Sequence, residues 1–312
     1  MSVSMSEFAI GSSNERIKIV INDWTSQIVM SNISAIFFQE MGYKTSFVQL
    51  TTDAQWSMIS RGHIHLQLEV WEGTMATQYK KLMDNNRIID LGNHNAKTRE
   101  DWWYPDYVEE KCPGLPDWKA LLDCSELFTN EKSNGKGIYL GGPWEKPDAK
   151  RIRVLGLNFN VERVSHGDQL WIELEQAYNK RKPIVLFNWT PNWIEYKYKG
   201  KFVEFPEYST KCETDPSWGI NPEATYDCGN PKNGWLKKIA WIKFPNKWPC
   251  AYQVAKRMNF TNELIAELVY WVDGQYLTHL QAAQQWIKTK KHIWQQWIPP
   301  ECKRDSMSIY EE

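Results

Sequence analysis

Three tryptophans stand where a ligand would meet them in an open parallel α/β sheet, just beyond the carboxyl ends of strands. Trp24 directly follows the apolar run IKIVIND, Trp71 ends HIHLQLEVW, and Trp189 ends PIVLFNW. The chemistry open to such a set is cation–π binding, for which indole offers the best aromatic face. A quaternary ammonium group is the matching guest. It has no N–H to give to acceptors, and its methyl groups spread the charge over a surface that rings can cover. Each desolvated contact contributes about 1–2 kcal/mol, so three or four sustain micromolar binding after the costs of association. Packing at a strand end is the competing account of any one of the three, and a poorer account of all three together.

Other candidates carry less. Trp102 and Trp103 lie in the segment REDWWYP, and Trp144 follows GGP in a turn whose backbone N–H groups could meet a ligand oxygen. Glu69 and Glu72 flank Trp71, and both are expected on the face opposite its indole, solvated or bonded to backbone. Asp23 is expected to bond a neighbouring helix start. No GxSxG, HExxH, Walker or GxGxxG pattern supports catalysis. His63 and His65 have period-two spacing inside a strand, with no third metal ligand nearby in sequence. The loop CETDPSWGINPEATYDC brings Glu213, Asp215, Glu223 and Asp227 together. It could hold a structural Ca²⁺ through oxygens, although it lacks EF-hand spacing and a polar surface loop is the alternative. No cofactor is required.

The elements that must position these residues alternate short apolar runs with amphipathic stretches, the signal of a parallel sheet covered by helices. Strands are expected at 17–23, 44–50, 63–71 and 87–92, and helices at 25–41, 52–62 and 74–85. Residues 99–135 break the rhythm with an aromatic, proline-bearing segment expected to cross between lobes. The pattern resumes with KGIYLGG, RIRVLGLNFNV, the helical GDQLWIELEQAYNKRK and PIVLFNW. Residues 199–235 look loop-like, and the tail from Trp248 looks helical, with Thr261 and Thr278 as N-caps. The expected fold is therefore two-lobed α/β: residues 1–98 in lobe one, 99–190 in lobe two, and 191–312 returning to lobe one with a disulfide loop and C-terminal helices.

Composition agrees with a globular protein and narrows its class. The chain has 312 residues, 42% hydrophobic and 24% charged, enough for two lobes. No run approaches the ~18 apolar residues of a membrane span. Lys plus Arg (37) nearly cancels Asp plus Glu (38), which leaves no basic field for nucleic acid. Tryptophan numbers 18, more than a core of this size requires; most are expected to fill the interior. The six cysteines have no CxxC spacing. Cys112 with Cys124 and Cys212 with Cys228 bracket Pro/Gly-rich loops, which leaves Cys250 with Cys302, as in an exported, disulfide-stapled protein. Fifteen connectivities are open to six cysteines, and free buried thiols are a further alternative. The opening MSVSMSEFAIGSSNER lacks the features of a signal peptide and is expected to be an added or processed start. The protein is expected to be a monomer.

The segments INDWTSQIV, LEVWEGT, REDWWYPDYVEEKCPGLPDW, KPIVLFNWTPNW and WVDGQ, with Trp286 and Trp297, span nearly the whole chain. Together they resemble the substrate-binding proteins of glycine betaine/proline betaine type that serve ABC transporters, in particular the branch that includes trimethylamine N-oxide binders. The resemblance implies a type II periplasmic binding protein fold that closes on its ligand, with a membrane permease as partner; the expected extracytoplasmic location rests on cysteine usage alone. By position, Trp24, Trp71 and Trp189 match the motif tryptophans of the cage, with Trp103 or Trp144 as further walls. One departure matters: many betaine binders have WTPHW, whose His helps to hold a carboxylate, and here Asn192 takes that place. The guest implied is trimethylamine N-oxide or glycine betaine, with choline a third candidate. The branch also supports Ca²⁺ near the Cys212–Cys228 loop. Two alternatives stand beside transport: an enzyme acting on methylated ammonium compounds in the same cleft, and a ligand-sensing domain without transport.

Overall fold

The computed structural model describes residues 13–144, 146–303, 307 and 309. The first twelve residues, expected as an added or processed start, lie outside them. Two compact units emerge, one of Met1–Lys97 with Trp235–Glu312 and one of Thr98–Gly234. Residues 191–234, expected in the return to the first lobe, group with the second unit.

The first unit opens with β1 (Ile17–Ile21), α1 (Thr25–Glu40), β2 (Thr45–Gln49), α2 (Ala54–Ser60), β3 (Leu66–Trp71) and α3 (Glu72–Asp84). The β-branched residues of β1 suit a pleated, buried position, and β1 pairs in parallel with β2 on one side and β3 on the other. All six residues of β3 are buried, so its polar residues must find partners inside the protein. Next comes β4 (Ile88–Pro105), eighteen residues that pass from the first unit into the second. REDWWYP, expected to cross between lobes, forms the last seven residues of this strand.

In the second unit a 3₁₀ turn at Asp106–Glu110 leads to α4 (Ala120–Cys124), β5 (Gly137–Gly141), α5 (Asp148–Val154), β6 (Phe159–Arg163) and α6 (Gln169–Asn179). β7 (Val185–Thr190), α7 (Ile194–Lys197), β8 (Gly200–Phe202) and α8 (Lys211–Thr214) follow. β5 lies between β6 and β7, parallel to both, and β7 runs antiparallel to β4.

The chain then returns to the first unit as β9 (Gly234–Trp241), antiparallel to β3, an element not anticipated from the sequence. Helices α9 (Phe244–Lys247), α10 (Pro249–Arg257), α11 (Asn262–Val269), α12 (His279–Thr289) and α13 (Lys291–Trp294) complete it. Both expected caps form. The Thr261 hydroxyl accepts from the Leu264 N–H at 3.3 Å. Thr278 and Gln281 bond reciprocally as a capping box, at 3.2 and 2.9 Å.

Much of the indole excess is interior. Phe37, Phe260, Trp286, Trp294 and Trp297 form one aromatic cluster, in which Trp286 and Trp297 stack at 5.3 Å. In the second unit Trp102 stacks on Tyr139 at 4.0 Å. Three disulfides join Cys112 to Cys124, Cys212 to Cys228 and Cys250 to Cys302. That selects one of the open connectivities and removes the free-thiol alternative.

Candidate functional site

Trp24 and Trp71 occupy equivalent places in the first unit, each the last residue before a helix, at the starts of α1 and α3. Their indole N–H groups donate to one and the same oxygen, Oε2 of Glu69, at 2.6 and 3.1 Å. Glu69 is fully buried. It was expected on the face opposite the Trp71 indole, and this is corrected: two residues apart on a strand means the same face. Glu72 does bond backbone, accepting the Trp235 N–H at 2.9 Å. Burial pushes the Glu69 carboxyl up to about 7, against the pull of the Trp24 N–H, the Ser26 hydroxyl and the Trp71 N–H.

Beneath this pair lies a connected set of buried amides. Gln67 donates to Asn22 at 2.7 Å and to Gln55 at 2.6 Å, and its own oxygen accepts from Gln27 and from the Glu69 backbone N–H, both at 3.0 Å. Gln27 also bonds the Val20 carbonyl at 2.8 Å and the Asn22 N–H at 3.0 Å. A network joined this fully is rigid, so α1 and β3 hold the two indoles from behind.

In the second unit Trp189 lies near the end of β7, and Trp144 lies in the turn after β5. Their rings meet at 5.3 Å and 87°, as two adjacent walls at a right angle. Trp171 of α6 packs on Trp189 at 5.1 Å, and Phe187 lies 5.6 Å from it. The Trp144 indole folds back against Gly142, where a Cβ would fall 2.3 Å from the ring. The Arg163 guanidinium clasps this turn, donating to the carbonyls of Trp144 (2.7 Å), Gly142 (3.2 Å) and Lys146 (3.2 Å). Lys146 in turn pairs with Glu100 at 2.5 Å, its Nζ 4.5 Å from the centre of the Phe187 ring. Glu100 is the register partner of Trp189.

The remaining sequence candidates are placed otherwise. Trp103, 1% exposed, pairs across the sheet with Leu186 and Phe202 and packs under Gly200, inside the second unit. Trp102 is interior too, its N–H donating to Asp148 at 3.0 Å. Asn192 is buried and engaged: its amide N–H donates to Asn188 at 3.2 Å and its oxygen accepts the Trp193 N–H at 2.7 Å. Asp23 is exposed. His65 is buried with the Lys18 N–H on Nδ1 at 3.0 Å and its ring 4.6 Å from Trp248; burial lowers it to about 4.

Three of the four carboxylates expected to hold Ca²⁺ serve the local fold. Glu213 accepts from the Tyr208 hydroxyl at 3.3 Å, and Asp215 from the Ser217 N–H and hydroxyl at 3.1 and 2.6 Å. Asp227 is buried beside Cys212 and accepts the Asn221 N–H at 2.7 Å. Glu223 is exposed. Among the described residues no three His, Cys, Asp or Glu side chains gather as a metal site would need.

Residues 15–289 match the family described as the substrate binding domain of ABC-type glycine betaine transport systems. The chain belongs to this family. It is 35% identical to the trimethylamine N-oxide-binding protein of Pelagibacter ubique (strain HTCC1062), over 90% of each chain. The crystal structure of the glycine betaine, L-proline ABC transporter binding protein from Borrelia burgdorferi superposes with a TM-score of 0.75 at 18% identity. It covers 95% of this chain and 100% of that one. An ABC-transporter choline-binding protein in complex with choline gives 0.72 at 14% identity, covering 94% and 96%. These structural likenesses give the fold, that of a type II periplasmic binding protein. The family consists of substrate-binding proteins, so the chain is not an enzyme, and the catalytic alternative is set aside. Family members are extracytoplasmic, and three disulfides fit an oxidising compartment. Among the described residues no helix is long and apolar enough to cross a membrane.

Proposed function

We propose that this chain captures a small methylated ammonium osmolyte, trimethylamine N-oxide ahead of glycine betaine and choline, and delivers it to the membrane permease of an ABC importer. The observation that carries the reading is the pairing of indoles in each unit: Trp24 with Trp71 on Glu69, and Trp144 with Trp189 at a right angle. On this reading the lobes close so that both half-sites meet one guest, whose methyl groups lie against indole faces. Trp24, Trp71, Trp189 and Trp144 are the walls, and Trp103, packed beside Leu186, Phe202 and Gly200, is not one of them. The preference for an N-oxide rests on Asn192, a neutral group already engaged with Asn188 and Trp193, and so a poor holder of a carboxylate. The 35% identity to a trimethylamine N-oxide-binding protein supports the same order.

Calorimetric titration with the three compounds tests the proposal. Trimethylamine N-oxide should bind in the micromolar range or tighter, with the other two weaker. The absence of binding by any methylated ammonium compound to folded protein would overturn the reading, and tighter binding of glycine betaine or choline would overturn the order.

A further inference from the structure

We propose that Glu69 sets the charge preference of the Trp24/Trp71 half-site: its carboxylate, bonded to both indole N–H groups through one oxygen, makes these rings favour a cationic group over a neutral one of the same shape. The inference rests on the proposed function and adds a residue to it that touches no ligand.

An indole ring attracts a cation through the negative potential of its face, and the N–H is the positive end of the ring. A carboxylate accepting that N–H draws off the positive end and adds a formal negative charge behind the ring, in a dry interior where charge is poorly screened. Here one oxygen does this for two rings at once, at 2.6 and 3.1 Å, from a side chain with no exposure.

The elements packed around Glu69 leave its charge uncancelled. Its own strand offers Gln67, and α1 offers Trp24, Ser26 and Gln27, all neutral. The loop after β1 carries Asp23, exposed, and α3 begins with Glu72, which holds the Trp235 N–H. β9 brings two lysines with other partners: Lys237 pairs with Asp90 at 2.7 Å, and Lys238 donates to the Lys256 and Met258 carbonyls. Asp273 bonds the Thr25 hydroxyl at 2.7 Å. Near neutral pH the group is poised between its charged and uncharged forms.

The test uses the full chain with trimethylamine N-oxide and tert-butanol, its uncharged carbon counterpart. Glu69→Gln keeps an oxygen for the indole N–H groups and removes only the charge. We expect trimethylamine N-oxide to bind about tenfold or more weakly to this variant at pH 8, while tert-butanol, followed by ligand-observed NMR, changes less than twofold. Equal losses for the two, or no loss for the N-oxide, would overturn the inference while leaving the proposed function standing. Should the variant not fold, wild-type protein decides. Its affinity for trimethylamine N-oxide should rise several-fold from pH 6 to pH 8.5, and a flat profile would overturn the inference. Wild-type protein that binds no methylated ammonium compound at any pH would instead remove the proposed function, and this inference with it.

Discussion

Sealing a carboxylate behind two indoles alters what a change at either ring would do. Trp71→Ala should weaken binding at least tenfold, because it removes one wall and leaves Glu69 with a single indole donor. Trp189→Ala should do the same from the other unit, and calorimetry on the two folded variants checks whether both units serve one guest. Glu69 also makes stability depend on pH. Folding raises it from an ordinary 4.5 to about 7, so its favourable contribution is complete below about pH 4.5 and is lost as the pH rises through about 7. The loss is on the order of 3 kcal/mol. Burial lowers His65 to about 4 and His94 to about 3, and these groups run the other way, adding stability as the pH climbs towards 6.5. The difference in denaturant stability between wild type and Glu69→Gln therefore isolates the carboxyl. It should fall between pH 4.5 and 7 and be level above.

Among the elements, the turn after β5 is the most exacting. Gly142→Val would drive a side chain into the Trp144 ring and should cost about tenfold or more in affinity with little change in melting temperature. Thr278→Ala removes the capping box of α12, far from either indole pair in the chain, and should cost about 1 kcal/mol in thermal unfolding with binding unchanged. The same scale explains what the sequence could and could not disclose. Trp24, Trp71 and Trp189 were legible as candidates because the strand-end rule for parallel sheets picks them out, but Trp171, which packs on Trp189, comes from a helix face, where that rule is silent. Trp144 was legible only as a residue of a turn, since its right-angle contact needs the Arg163 clasp from another strand. The length of β4 was hidden because His94, Thr98 and Glu100, all polar, occupy its buried positions, so period two does not show as apolar alternation. β9 was hidden by Lys237 and Lys238; the second is buried with carbonyl partners from the end of α10, which no local pattern announces.

Across the whole molecule, three crosslinks restrict the unfolded chain. The Cys250–Cys302 bond closes 52 residues and the Cys112–Cys124 bond 12. Chain entropy alone assigns them about 4 and about 3 kcal/mol. Replacing the first pair by serines should lower the melting temperature more than replacing the second, and calorimetric scans of the two double variants check the order. Ligand at a hundredfold excess over its Kd should add about 2.7 kcal/mol to the folded state. A last consequence follows from the single oxygen that Trp24 and Trp71 share. Neither ring can swing without giving up a bond to a sealed acceptor, so their orientation is settled while the chain folds and not when a guest arrives. Encounter then carries no further cost for ordering these two rings, and rival guests should differ chiefly in how long they stay.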